Sequence, residues 1–132
     1  MALPNGAGGY QVTDGNVGEP LLFVQGAPTA LTAAATVTAA QLANGLFTFD
    51  GTAGNMTLPT VADLEAFVSA ASKVDAAFDF FVDNIDGGTD DVTVAVGTGW
   101  TLVGAGQVDN GTSGHFRARK TGDGTWTCYR LS

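Results

Sequence analysis

Few residues in this chain could carry out chemistry. The 132 residues include one cysteine, one histidine and five basic residues, set against thirteen acidic ones, for a net charge of −8. Cys128 alone cannot form an intrachain disulfide, and a triad or metal cluster would have to be built around His115 alone. Nucleophile-elbow, phosphate-loop and paired-cysteine motifs are absent from the sequence. We therefore predict no enzymatic activity, no cofactor and no metal ion.

Long apolar runs are also missing. None approaches the roughly 20 residues that a membrane-spanning helix needs, and the opening MALPNGAGGYQ has neither the basic region nor the apolar core of a signal peptide. The excess of acids opposes general affinity for nucleic acid, which depends on Lys and Arg neutralising phosphates. We expect a soluble protein made in the cytoplasm, with neither nucleic acid nor a membrane as partner.

The composition that remains favours strands and turns. Glycine, threonine and valine are abundant while only 14% of residues are charged, which suits short strands better than surface helices. We predict that residues 19–132 form a single mainly β domain, an antiparallel β-sandwich or barrel of jelly-roll type with one short α-helix. The glycine-rich residues 1–18 are predicted to be a flexible or extended N-terminal arm. It is either a disordered tail or an arm that anchors on a partner through Leu3, Tyr10 and Val12.

Local signals divide the first half of the domain. A first strand is predicted at Leu21–Val24, between Pro20 and Gly26. The segment Ala27–Ala43 is ambiguous, because its alanines favour helix and its Thr-Val-Thr run favours strand. The capping box Thr38–Gln41, followed by the stop signal Asn44–Gly45, makes a short helical turn plausible there. Two strands then follow at Leu46–Phe49 and Asn55–Leu58.

The clearest helix signal starts at Thr60, whose hydroxyl can cap the free amides, with Asp63 near the positive helix end. An apolar stripe at helical spacing follows and is predicted to pack on the core: Val61, Leu64, Phe67, Val68 and Ala71. From Ala77 the pattern alternates instead, with Phe78, Phe80 and Val82 on one face of a strand and Asp79 and Phe81 on the other.

Four of the five basic residues lie in the closing hairpin, Ser113–Ser132. If its TGDG turn pairs Lys120 with Thr125, or slips by one pair, the hairpin has one arginine-rich face: Arg117, Arg119, Trp126, Cys128 and Arg130. The core face is then formed by Phe116, Ala118, Tyr129 and Leu131. His115 shares the first face with Cys128 without pairing directly, which disfavours a thiolate–imidazole dyad. That face is either a solvated outer surface or a contact patch for a partner through Arg117, Arg119, Trp126 and Arg130.

The loop Asp83–Asp91 concentrates carboxylates, which are the ligands that calcium prefers. Its spacing does not follow the EF-hand pattern, and acidic, glycine-rich residues are also typical of exposed turns. A solvated turn and a cation site both remain open for this loop, with the turn favoured.

The residues Thr98–Val103 and the string His115–Arg130 (HFRARKTGDGTWTCYR) resemble small virion proteins of tailed bacteriophages. These are capsid decoration, or cement, proteins encoded beside the major capsid protein. The resemblance spans about Val37 to Leu131 and includes the Thr36–Leu42 and Met56–Thr60 segments. It implies a β-rich module on the capsid exterior, with the major capsid protein and itself as partners, commonly as a homotrimer near local threefold positions.

A second hypothesis is a tail-fibre or tail-tip module that binds host-surface carbohydrate. Its basis is the pair of tryptophans, Trp100 and Trp126, because indole rings stack well on sugars. A glycan site also needs clustered Asn, Asp and Gln beside an exposed ring, and the closing hairpin offers arginines instead.

Overall fold

The structure is a computed structural model that describes residues 20, 22–69 and 73–132. Within these residues it contains ten strands and two helices. In chain order they are β1 (Thr29–Leu31), β2 (Ala35–Thr36), α1 (Ala39–Asn44), β3 (Leu46–Phe49), β4 (Gly54–Thr57), α2 (Val61–Phe67), β5 (Ala77–Asn84), β6 (Val92–Ala95), β7 (Trp100–Val103), β8 (Gln107–Val108), β9 (Ser113–Gly122) and β10 (Thr125–Arg130).

The strands form two mixed sheets. The larger sheet has the order β1-β3-β5-β9-β10-β7, and the smaller one has the order β2-β4-β6-β8. The prediction of a mainly β fold is confirmed. The antiparallel jelly-roll arrangement is not, because five of the eight strand pairings are parallel.

Parallel pairing arises because the chain repeats one unit. Each unit, which we call a rung, passes through a strand of the larger sheet and then a strand of the smaller sheet. β1 and β2 form the first rung, β3 and β4 the second, and β5 and β6 the third, with successive rungs in parallel register. A helix closes each of the first two rungs, and α1 lies against α2. The described chain is therefore a short stack in which each rung rests on its neighbours.

Both helices start where the sequence signals them, and α1 also stops at its signal, whereas α2 ends at Phe67, before the end of the predicted stripe. Thr38 accepts from the amide of Gln41 at 3.2 Å while the Gln41 side chain accepts from the Thr38 amide at 2.9 Å, so the predicted capping box is confirmed. The helix ends at Gly45, whose φ of 79° is left-handed and therefore favours glycine. Thr60 caps α2 by accepting from the amide of Asp63 at 3.2 Å. The structure thus has two short helices where the predicted architecture had one.

The core lies between the two sheets and beneath the helices. Its largest buried side chains come from both sheets and from the helix stripes: Trp126, Phe47, Phe49, Phe80, Phe116, Leu42, Met56, Leu58 and Leu64. The predicted alternation of β5 is confirmed, because Phe80 and Val82 are buried while Phe81 is exposed. The α2 stripe is confirmed at Val61 and Leu64 and is wrong at Phe67, which is 56% exposed where the helix ends. Ala71 lies outside the described residues.

Of two predictions about the N-terminal part, one is wrong and the other concerns residues outside the described ones. No strand forms at Leu22–Val24, because these residues pair with no described strand and are exposed; the first strand is β1, inside the segment that the sequence left ambiguous. The predicted arm of residues 1–18, with Leu3, Tyr10 and Val12, lies outside the described residues.

Candidate interaction surface

The closing hairpin has a different register from the predicted one, and this changes which side chains share a face. Trp126 pairs with Lys120 and Cys128 with Ala118, because the register shifts between Thr125 and Trp126. A one-residue shift moves every following side chain of the strand to the opposite face. The prediction that Trp126 and Cys128 lie beside Arg117 is therefore wrong: Trp126 is 1% exposed and Cys128 is buried in the core.

The outer face of the larger sheet carries a connected group of polar and aromatic side chains. We call it the outer-face cluster: Asp75, Asp79, Phe81, His115, Arg117, Arg119 and Tyr129. The antiparallel pairing of β5 with β9 creates it, since Asp79 lies opposite Arg117 and Phe81 opposite His115. On β10, Tyr129 lies opposite Arg117 on the other side. The cluster thus joins residues from three neighbouring strands and the turn before β5.

Asp79 is the centre of the cluster. Its two carboxylate oxygens accept from Nε and Nη2 of Arg117 at 2.6 and 2.9 Å, a bidentate pair. His115 Nε2 lies 2.8 Å from the same carboxylate, and its ring stacks on Phe81 with the ring centres 4.4 Å apart. The hydrogen bonds from Arg117, reinforced by His115, lower the pKa of Asp79 to about 2. Asp79 is therefore ionised at neutral pH and fixes both basic side chains on the sheet.

Arg119 has a second set of partners in the cluster. Its guanidinium donates to Tyr129 Oη at 3.2 Å and to Asp75 at 2.7 Å. The Arg119 and Arg117 side chains remain 41% and 50% exposed, and Phe81 is 45% exposed. The placement of Arg117 and Arg119 on an outer face agrees with the sequence prediction, whereas Tyr129, predicted in the core, lies on that same outer face.

Arg130 is not part of this surface. Its guanidinium lies over the Phe116 ring at 5.1 Å from the centroid and donates to the carbonyls of Ser132, Ala105 and Gln107. These contacts tie the end of β10 to the loop before β8. The predicted partner contact through Arg130 thus falls on a residue whose donors are used within the chain.

Beneath the cluster, a charged pair joins the hairpin to α2. Lys120 is 4% exposed and its Nζ lies 2.6 Å from Glu65, which also accepts from the Trp126 indole at 2.9 Å. The hydrogen bonds from Lys120 and then Trp126 lower the pKa of Glu65. One carboxylate therefore satisfies two polar groups of the buried hairpin face, which holds the strands that display the cluster.

The acidic loop is organised by its own hydrogen bonds. Asp86 accepts from the amides of Gly88 and Asp90, and Asp91 accepts from the amide of Asn110 and from the Gln107 side chain. Asn84, buried at the base of the loop, donates to the carbonyls of Asp90 and Val108. Within the described residues, no group of three or more His, Cys, Asp or Glu side chains is arranged to hold a metal ion. The loop is thus folded by hydrogen bonds among its own residues, including Asn84, and to Gln107 and Asn110.

The remaining candidate groups do not come together. Cys128 faces the core and His115 the outer surface, so the predicted sharing of one face is wrong. Burial raises the pKa of the Cys128 thiol to about 12, which keeps it protonated and unreactive. Trp126 is buried and Trp100 is 8% exposed, with its indole donating to the carbonyl of Pro59. Neither ring is available to stack on a sugar.

The predicted contact patch did not include five members of the cluster, namely Asp75, Asp79, Phe81, His115 and Tyr129. The alternation of β5 did place Asp79 and Phe81 on the face opposite Phe80, which was the available signal. Their partners lie 34 to 38 residues away on β9, and no local pattern specifies that pairing.

No helix among the described residues is long and apolar enough to cross a membrane. A scan against protein-family models gives no match to the chain, and searches of curated proteins and of solved structures give none either.

Proposed function

We propose that this protein is a structural component of a bacteriophage virion, which binds the outer surface of the capsid and reinforces contacts between capsid subunits. Its partners are the major capsid protein and further copies of itself, as a homotrimer. The capsid assignment follows from the resemblance of residues 37–131 to decoration proteins. The binding surface is inferred from the geometry of the outer-face cluster.

The observation that carries the proposal is the fixed, exposed arrangement of Arg117 and Phe81 on the outer face of the larger sheet. Arginine and aromatic side chains are enriched among residues that dominate protein interfaces. Arg117 is held by two hydrogen bonds to Asp79, and Phe81 is held against His115, so little side-chain freedom remains to be lost on binding. The bonded carboxylates of Asp79 and Asp75 neutralise the two arginines, which lowers the electrostatic cost of covering them.

The test is co-sedimentation with undecorated capsids assembled from the major capsid protein that is proposed as the partner. Phe81→Ser and Arg117→Ala should each weaken binding by about tenfold or more, as expected for residues at an interface centre. The matched controls are Ile85→Ser, which removes an apolar side chain that is 53% exposed outside the cluster, and Lys73→Ala, which removes an exposed cation.

Melting curves recorded in parallel should show that all four variants stay folded, because the altered side chains lie outside the core; Arg117→Ala should be the least stable of them, because it removes the ion-pair partner of Asp79. Full capsid occupancy by both cluster variants would show that the cluster does not contact the capsid. This surface would then no longer be the proposed binding site. Failure of the wild-type protein to bind capsids would overturn the capsid assignment itself.

A further inference from the structure

Within the described residues, the first rung forms one edge of both sheets, as β7 and β8 form the opposite edges. β1 pairs only with β3, and β2 only with β4, so both strands of the first rung are edge strands. The carbonyl of Leu31 accepts from Asp50 on the β3 side. Since successive residues of a strand direct their N–H and C=O groups to opposite sides, those of Ala30 point toward the open edge. Both residues of β2 are exposed.

This end also lacks charge. Every residue from Pro20 to Phe49 is uncharged, in a chain whose net charge is −8. Proteins usually protect open edges with charged side chains, Lys above all, and neither β1 nor β2 has one. Two copies with this net charge repel each other at most approaches. The first rung is a surface where they can meet without opposing carboxylates.

An unburied apolar run precedes the open edge. Leu22, Phe23 and Val24 are 79%, 83% and 99% exposed. The chain is held just after this run, because Gln25 Nε2 donates to the carbonyl of Asn44 and Asn44 Nδ2 donates to the carbonyl of Ala27, both at 2.9 Å. These bonds place residues 25–27 against the junction of α1 and β3.

We propose that the first rung is a self-association surface, at which the Leu22–Val24 run of one copy packs on the open β1 edge of a second copy. The run supplies apolar surface of the kind that strands bury, and the edge supplies backbone groups that pair with no described strand, so a single chain contains both halves of the contact. This inference names the surface for the self-association in the proposed function, and it is independent of capsid binding.

The experiment measures the mass of the full-length protein by sedimentation velocity across micromolar concentrations. Phe23→Lys and Ala30→Lys each place a charge on one half of the contact, and both sites are exposed, so the fold is retained. Val103→Lys is the matched control, because Val103 is 47% exposed on β7, the opposite edge strand of the same sheet. We expect wild type and Val103→Lys to associate, and the two first-rung variants to require at least about tenfold higher concentration, equivalent to 1.4 kcal/mol.

A second measurement identifies the contact directly. Chains with Val24→Cys are mixed with tagged chains that have Ala30→Cys and treated with a short bifunctional maleimide. The native Cys128 is buried, so it does not compete. A crosslink between tagged and untagged chains supports the proposal.

Three outcomes overturn it: a monomeric wild type, association that survives both first-rung substitutions, or loss of association in Val103→Lys alone. A wild type that is monomeric in solution while Phe23→Lys loses capsid binding would identify the capsid protein as the occupant, which also overturns the proposal. Because capsid binding is scored separately, failure of this surface is distinguishable from failure of the proposed function.

Discussion

The two ends of the stack differ in their charge, although each has strands that pair with a single described strand, β1 and β2 at one end and β7 and β8 at the other. At the end formed by β1 and β2, the described edges are open and the chain has no charged side chain. At the end formed by β9, β10 and β7, the arginines and Lys120 are engaged in ion pairs or hydrogen bonds and two tryptophans are buried. At the charged end, ion pairs and hydrogen bonds join segments that are far apart in the sequence. At the uncharged end, local capping signals specify the helix, and the strands are held by pairing with the next rung.

The largest loss of stability is expected from shortening a buried side chain, Trp126, at the charged end. Trp126→Ala removes a ring that packs on Phe78 and Trp100 and that donates to Glu65. Buried Trp-to-Ala changes cost about 3–5 kcal/mol of unfolding free energy. Leu31→Ala, at the half-buried edge of the first rung, should cost only about 1 kcal/mol. Urea denaturation of both variants measures the difference.

Trp126→Phe is the control, because it keeps most of the packing and removes only the hydrogen bond to Glu65. Equal losses of unfolding free energy for Trp126→Ala and Leu31→Ala would show that the two ends contribute equally to stability, which would contradict the comparison.

The features that the sequence predicted are those encoded within one turn or strand. Thr38 with Gln41 and Thr60 with Asp63 are local capping signals, and both helices begin there. The alternation of Phe80 and Val82 with Phe81 likewise correctly predicted the faces of β5. Such patterns depend only on the geometry of neighbouring residues, so a single sequence reveals them.

The features that were missed depend on distant pairing or on a single irregularity. Side chains alternate along a strand in the same way whether its neighbours are parallel or antiparallel, so alternation could not predict the parallel stacking of β1, β3 and β5. The sequence does contain a weak repeat of one unit, in which Val37-Thr38 and Leu42 correspond to Leu58, Thr60 and Leu64. The register shift at Thr125/Trp126 inverted the predicted faces of β10 and misplaced Trp126. The candidate surface was therefore predicted only at Arg117 and Arg119.

A smaller effect is expected from the helix caps that close the first two rungs. Thr38→Ala and Thr60→Ala each remove a hydroxyl that accepts from a backbone amide, and such changes cost about 1 kcal/mol. The two losses should be similar, because Thr38→Ala keeps the backbone amide that donates to the Gln41 side chain. Urea denaturation against Thr38→Ser and Thr60→Ser, which keep the hydroxyl, isolates the cap. A Thr38→Ser variant as unstable as Thr38→Ala would show that the methyl group matters instead.

The last prediction concerns Asp79, whose contribution to stability is lost in acid. Its pKa is about 2 in the folded protein against an ordinary value of 3.8, because Arg117 and His115 bind the ionised form. A carboxyl whose pKa is lowered by folding stabilises the protein above its unfolded pKa, and that contribution is lost as the pH falls through the folded pKa. The stability difference between wild type and Asp79→Asn should therefore be constant above about pH 4 and narrow between about pH 4 and pH 2.

Asp83→Asn is the control, since Asp83 lies on the same face of β5 and takes part in none of the ion pairs that join described residues. Urea midpoints for the three proteins at pH 7, 4 and 2.5 provide the measurement. A gap between wild type and Asp79→Asn that is the same at every pH would mean that the carboxylate charge does not hold Arg117 in place. Arg117 would then be free to move, and the preorganisation that recommends the outer-face cluster as a binding surface would be absent.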